Sequence, residues 1–280
     1  MQRLTGAIIN LTTTGMVPTK EMTPHVPVTV EEIVADVTRC VRLGANVVHL
    51  HARDSSGQPT YKQEVYARLI GGIREVFPDL VIGVSLSGRT HTEFMERADP
   101  LRLRGDVKPD LASLTLGSMN FAQSASVNSP DMIRRLAEAM TEADVKPELE
   151  VFDLGMINFA HYLIRKGTLR PPFYFNLLLG NIATAQARPA HLSQLVADLP
   201  PDSYWTAAGI GDGQMAMNAL GLLFGDGVRV GLEDNIWFDA ARTRLATNEA
   251  LVARALQMAA LFERPVASRL EVREALGLCP

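Results

Sequence analysis

Eight short, nearly continuous apolar runs alternate with eight helical stretches along a chain of 280 residues. The alternation and the continuity of the runs predict an α/β protein of the (β/α)8, or TIM-barrel, class. Parallel strands in such a barrel are buried on both faces and therefore read as apolar throughout. The third observation is an absence. A doubly wound open sheet is the rival architecture, and the GxGxxG turn of its dinucleotide-binding form does not follow the first run.

The elements are expected in this order. The run Ala7–Thr12 precedes a helix over Val30–Leu43, whose start is marked by Thr29 with Glu32 three residues on, a capping box. Asn46–His51 precedes Lys62–Val76, and Leu80–Ser85 precedes His91–Arg102. Leu111–Leu116 is followed by Pro130–Glu142, where Ser129 supplies a cap and Pro130 takes the first helical position. Glu148–Phe152 leads to Gly155–Lys166, with Asp153 placed to cap it. Phe173–Leu178, Tyr204–Ala208 and Val228–Leu232 lead to Ala190–Ala197, Gln214–Phe224 and Asn248–Leu261. A small appended helix is expected beyond Arg264. No linker or composition shift divides the chain, which reads as one domain over residues 1–280.

Composition narrows the function. Hydrophobic residues make up 47% and charged residues 21%, and 27 Lys+Arg against 31 Asp+Glu leave a net charge of −4. A nucleic-acid binder needs a basic footprint, and the scattered cations form no membrane-binding patch. Two cysteines, Cys40 and Cys279, make no disulfide framework, so a reducing cytoplasm is expected. No stretch of 18 apolar residues and no signal-peptide pattern is present, which fits a soluble protein.

In this barrel class the active site lies at the C-terminal ends of the strands. Strand two ends in VVHLHARD, where His49 and His51 are two apart and point to one face. Two imidazoles at a strand end suit zinc or a similar transition metal; the competing reading is a pair of core histidines bonded to backbone. Strand eight, VRVGLEDN, places Glu233 and Asp234 just past its apolar run, with only strand one between it and strand two. Glu233 completes a His2Glu set with open positions, the catalytic rather than the structural zinc pattern. Asp234 is placed to act as a base beside it. Arg229, on the same strand, demands a carboxylate partner inside a barrel. Strand five offers Glu148 and Glu150, and Glu150, nearer the mouth, is the expected partner. The bland alternative is a solvated acidic loop and a salt bridge on the bottom face. Ser85, Ser87, Ser113 and Thr115 on strands three and four are candidate substrate contacts or small barrel fillers. The glycine-rich turn Gly209–Gly213 suits phosphate weakly, because Asp212 adds negative charge. No lysine ends a strand, which argues against Schiff-base chemistry.

These motifs resemble a known family. NVVHLHARD with G-x-P-T, ASLTLGSMNF, KPELEVFDLGMI, TAAGIGDGQ and VRVGLEDN are similar, in order, to motifs of the β-keto acid cleavage enzymes, from the first strand to the eighth helix. The resemblance implies a zinc-dependent barrel that condenses a β-keto acid with acetyl-CoA, giving acetoacetate and a new CoA ester. It implies His49, His51 and Glu233 as zinc ligands. Asp234 is implied as general base, tuned by Arg229 and a strand-five glutamate, and Ser85 and Ser113 as substrate contacts. A homo-oligomer, tetramer or dimer, is implied as well. One departure stands out. In the branch that takes amino-substituted substrates, the loop after strand one carries a glutamate for the ammonium; here it reads Gly15-Met16-Val17-Pro18-Thr19, with Val17 at that place. Thr19 and Arg89 join the substrate-binding candidates. Met16, Val17 and Met119 suit an apolar tail, Arg89 a second carboxylate, and the sequence leaves both open. The rival functions are a zinc class II aldolase or hydrolase without CoA, and a barrel that only binds a small ligand.

Overall fold

In the computed structural model, which describes residues 4–278, eight parallel strands close into a barrel, as the alternation predicts. They are β1 (Ile8–Thr12), β2 (Val47–Leu50), β3 (Val81–Val84), β4 (Leu111–Thr115), β5 (Lys146–Val151), β6 (Phe173–Leu179), β7 (Ser203–Gly209) and β8 (Gly227–Val230). Neighbours around the barrel follow chain order, and β8 closes it against β1 with Asn10 opposite Arg229. On the other side of β1, Thr12 lies opposite His49 of β2. Metal-ligand candidates from strands two and eight thus flank one strand.

The helices are α1 (Val30–Leu43), α2 (Gln63–Arg74), α3 (Phe94–Arg97), α4 (Pro130–Glu142), α5 (Leu154–Arg165), α6 (Pro189–Ala197), α7 (Gln214–Phe224), α8 (Asn248–Leu261) and α9 (Arg269–Ala275). Local signals place their starts. Thr29 Oγ1 accepts from Glu32 N at 3.2 Å while Glu32 Oε2 accepts from Thr29 N at 3.2 Å, a complete capping box. Ser129 and Asp153 cap α4 and α5 through Met132 N and Met156 N. One helix differs from expectation. In place of a helix over His91–Arg102, α3 is a single turn followed by a 3-10 turn over Asp99–Arg102. Pro100 lacks an N–H and disfavours a helical residue before it, so the α-helix cannot run through.

Side chains alternate along the strands. Ile9 and Leu11 of β1 face the helical layer and belong to the main core, whereas Ile8 faces the barrel axis. At the N-terminal end of the barrel Ile8, Val47, Val81, Leu111 and Tyr174 meet Val272 and Leu276 of α9. The appended helix therefore plugs the bottom of its own barrel. Above this apolar floor the axis turns polar, with Asn10, Glu148, Asn176 and Thr206 all fully buried. No helix among the described residues is long and apolar enough to cross a membrane.

Candidate active site

The polar layer is a chain of hydrogen bonds that ends on His49. Thr206 Oγ1 donates to Asn176 Oδ1, and Asn176 Nδ2 and Asn10 Nδ2 both donate to Glu148 Oε1, the latter at 2.8 Å. The other oxygen, Glu148 Oε2, lies 2.7 Å from His49 Nδ1. With Nδ1–H donating to this carboxylate, the lone pair of His49 Nε2 faces the mouth, the arrangement in which a carboxylate orients a metal-binding imidazole. Glu148 thus stands behind His49, a role that its inward direction on strand five left open.

His49 Nε2 lies 3.3 Å from His51 Nε2, and His51 Nε2 lies 3.2 Å from Glu233 Oε1. One donor atom from each of His49, His51 and Glu233 falls within 4.8 Å of the others, and this is the metal-capable cluster among the described residues. Glu233 Oε2 is buried without a hydrogen-bond partner, so the group holds an unused acceptor beside two imidazole nitrogens. Two nitrogens and a carboxylate oxygen suit a catalytic zinc ion, which takes three protein ligands and keeps a position open. Gly15, in the loop after β1, makes room for this ligand: its φ is +64°, and a Cβ there would stand 2.6 Å from Glu233 Cγ.

Arg229 ties the acidic residues together. Its Nε donates to Asp234 Oδ2 at 3.0 Å, its Nη1 to Glu150 Oε1 at 3.1 Å and its Nη2 to Glu233 Oε1 at 2.6 Å. The structure brings Arg229 and Glu150 together as expected. Thr115 Oγ1 donates to the free oxygen of Glu150 at 2.7 Å. Thr12 Oγ1 approaches Asp234 Oδ2 at 3.4 Å.

The charges perturb one another. Burial opposes protonation of His49, but Glu148 and Glu233 outweigh it and push its pKa up to about 9. Burial lowers His51. Burial would raise Glu233, yet His51, Arg229 and His49 hold it well below the ordinary carboxylate range. Asp234 is raised by burial, with Arg229 opposing the shift. Burial would lower Arg229, and Asp234, Glu233 and Glu150 hold it firmly protonated.

Above this group opens a cavity of about 510 Å3 at the C-terminal end of the strands. His51, Glu150, Arg229, Glu233 and Asp234 line it, as do Ser85 and Arg89. Ser113 and Thr19 do not: Ser113 Oγ accepts from Leu86 N at 3.0 Å, and Thr19 is exposed, accepting from Met22 N. Arg53, the arginine of HLHARD, was given no role by the sequence. Buried, it donates to Gly15 O at 2.8 Å and Pro18 O at 3.0 Å and so fixes the loop that carries Val17 to the cavity wall.

Comparisons with known proteins identify the family. A family model for the β-keto acid cleavage enzymes matches residues 6–278. The chain belongs to the β-keto acid cleavage enzyme family. It is 37% identical over 272 residues to the 3-keto-5-aminohexanoate cleavage enzyme of Acetoanaerobium sticklandii, covering 97% of this chain and 98% of that one. It is 36% identical over 277 residues to the 3-oxoadipate:acetyl-CoA acetyltransferase of Cupriavidus necator, covering 97% and 94%. Among solved structures, apo ObcA superposes with a TM-score of 0.80 at 22% identity, over 91% of this chain and 66% of that longer one, a likeness of fold alone. As a family member the protein is an enzyme that cleaves β-keto acids by transfer chemistry.

Proposed function

We propose that the protein is a zinc-dependent transferase that splits a β-keto acid against acetyl-CoA, releasing acetoacetate and the acyl-CoA of the remaining fragment. The convergence of His49, His51 and Glu233 beside Asp234 and Arg229, all but His49 lining one cavity, carries this reading. Bound through those three side chains, zinc would supply Lewis acidity to the substrate's keto oxygen and carboxylate.

The chain's own residues supply the proton chemistry. Asp234, on the cavity wall, takes the proton from the carbon between carboxylate and ketone. Its carboxylate is aimed by Arg229 Nε and Thr12 Oγ1. Burial makes it a stronger base than an exposed aspartate, and Arg229 limits that gain. The carbon freed of its proton attacks the acetyl thioester, forming a carbon–carbon bond and expelling the CoA thiolate. The thiolate then adds to the original ketone, the bond between that carbon and the former methylene breaks, and the methylene carbon recovers its proton from Asp234. Acetoacetate and a new acyl-CoA result, with atoms and electrons balanced. Glu150 holds Arg229 from the opposite wall, and Ser85 is offered to the substrate.

The test is direct. Zinc-loaded protein incubated with acetyl-CoA and a panel of β-keto acids is expected to yield acetoacetate and a new acyl-CoA by mass spectrometry. Cleavage without any CoA ester would give the site to an aldolase or hydrolase instead.

A further inference from the structure

Three arginines line the cavity, and two are spent. Arg229 is bonded to Glu150, Glu233 and Asp234, and Arg242 holds Asp212 through Nε at 3.0 Å and Nη2 at 3.1 Å. Arg89, from the loop after β3, has no carboxylate partner among the described residues. Its guanidinium carbon sits 3.5 Å from the centre of the Phe121 ring, and Phe121 is itself braced edge-on by Phe152, with centroids 6.0 Å apart at 89°. Stacking fixes the plane of the guanidinium and leaves the N–H groups in that plane free. A fork held so is shaped for a planar carboxylate, which it binds through two parallel hydrogen bonds.

We infer that Arg89 receives a second carboxylate, so that the β-keto acid cleaved here is a dicarboxylic one, with its keto-acid end at the His49–His51–Glu233 group and its far end on Arg89. The inference rests on the proposed function and names its substrate class. A cationic tail would meet a like charge at Arg89. A neutral tail filling the cavity would strip water from a guanidinium and offer nothing in exchange. A carboxylate satisfies both the charge and the fork. Overall identity does not choose, since the relative named for an amino-substituted acid stands at 37% and the one named for a dicarboxylic acid at 36%. Arg89 and its aromatic brace do.

The experiment compares 3-oxoadipate with 3-oxohexanoate, of equal chain length, in wild type and in Arg89→Met and Arg89→Lys. Methionine keeps the packing on Phe121 and removes the fork; lysine keeps charge without it. Wild type is expected to prefer the dicarboxylate, and the ratio of the two kcat/KM values to fall about a hundred-fold in Arg89→Met and less in Arg89→Lys. The KM for acetyl-CoA is expected not to follow. A preference for 3-oxohexanoate in wild type, or a ratio that Arg89→Met leaves in place, overturns the inference while the cleavage reaction stands. A rise in the acetyl-CoA KM shared by both acids also overturns it, because Arg89 then serves the phosphates of CoA. Calorimetry with adipate and hexanoate, which cannot react, gives a second readout without turnover. Adipate is expected to bind more tightly than hexanoate, in an Arg89-dependent way, and equal binding of the two overturns the assignment even where no CoA ester forms with any acid.

Discussion

Replacing Glu148 by glutamine changes no volume and removes one charge from a fully buried position. Glu148 Oε1 accepts from Asn10 and Asn176 while Oε2 takes the His49 Nδ1–H bond at 2.7 Å. A glutamine has one acceptor. If its oxygen stays with the two asparagines, its NH2 faces Nδ1 and forces His49 to carry its proton on Nε2, the nitrogen that must hold the metal. If the amide turns over, its NH2 collides with two N–H donors. The first arrangement keeps the bond but puts the proton on the metal-facing nitrogen; the second leaves donors facing donors, a cost of about 1–3 kcal/mol. Loss of such an orienting partner weakens metal affinity about 10- to 100-fold. Competition against a chromophoric chelator measures that affinity, and a thermal melt is expected to show a midpoint lower by several degrees. Glu148→Gln protein that folds and binds zinc within twofold of wild type would refute the assignment of Glu148 as the partner that orients His49.

Three further outcomes follow from the same geometry. Asp234→Asn keeps an acceptor for Arg229 Nε and is expected to retain zinc while kcat falls at least about a hundred-fold; unchanged turnover removes Asp234 from the proton-transfer role. Arg229→Met leaves Glu150, Glu233 and Asp234 facing one another without their common cation, and unfolding free energy is expected to fall by about 3–5 kcal/mol in chemical denaturation; a change below about 1 kcal/mol contradicts the clamp. In metal-free protein, His49 is raised from 6.5 to about 9, so its imidazolium stabilises the fold fully below pH 6.5 and that contribution is lost as pH rises through 9. Zinc must displace that proton. Calorimetry near pH 7.5 in buffers of different ionisation enthalpy is expected to show about one proton released per zinc, and no release contradicts the assignment.

The barrel was legible because parallel strands buried on both faces leave continuous apolar runs, and because Thr29, Ser129 and Asp153 mark their helix starts with side-chain oxygens. His49 and His51 were legible from their spacing, and Glu233 from its place past the eighth strand. The division of labour between Glu148 and Glu150 was not fully readable. Both point inward, and only depth separates them: Glu148 pairs in register with Ser113 and reaches His49, while Glu150 pairs with Thr115 and reaches Arg229. Arg53 was hidden for another reason. The carbonyls it holds, Gly15 O and Pro18 O, lie on a loop more than thirty residues away in sequence, and carbonyls carry no residue signature. Ser113 shows the converse, since a serine that lines a barrel can spend its oxygen on the neighbouring backbone. Pro100 lies within the expected third helix and turns its last part into a 3-10 turn, a case where one residue outweighs the surrounding pattern.

The charge balance of the site suits these side chains to a metal ion better than to a purely structural cluster. Glu150, Glu233 and Asp234 form ion pairs with one arginine, Arg229, and Glu148 pairs with His49, while Arg89 attracts the first three from a distance, so with neutral imidazoles the carboxylates stand in excess. Buried charge without a partner costs several kcal/mol, and the neutral donors Asn10, Asn176 and Thr115 offset only part of it. Metal-free protein answers the excess by drawing a proton onto His49 and raising Asp234. A dication beside His49, His51 and Glu233 would meet the same demand with two positive charges and return His49 to its neutral form. The imbalance that disfavours the site alone would therefore favour a metal there, and Arg229, saturated by three carboxylates, leaves that demand unmet. Arg89 feels Glu233, Glu150 and Asp234 only at a distance and is ion-paired with none of them, which leaves its fork open to the substrate carboxylate inferred above.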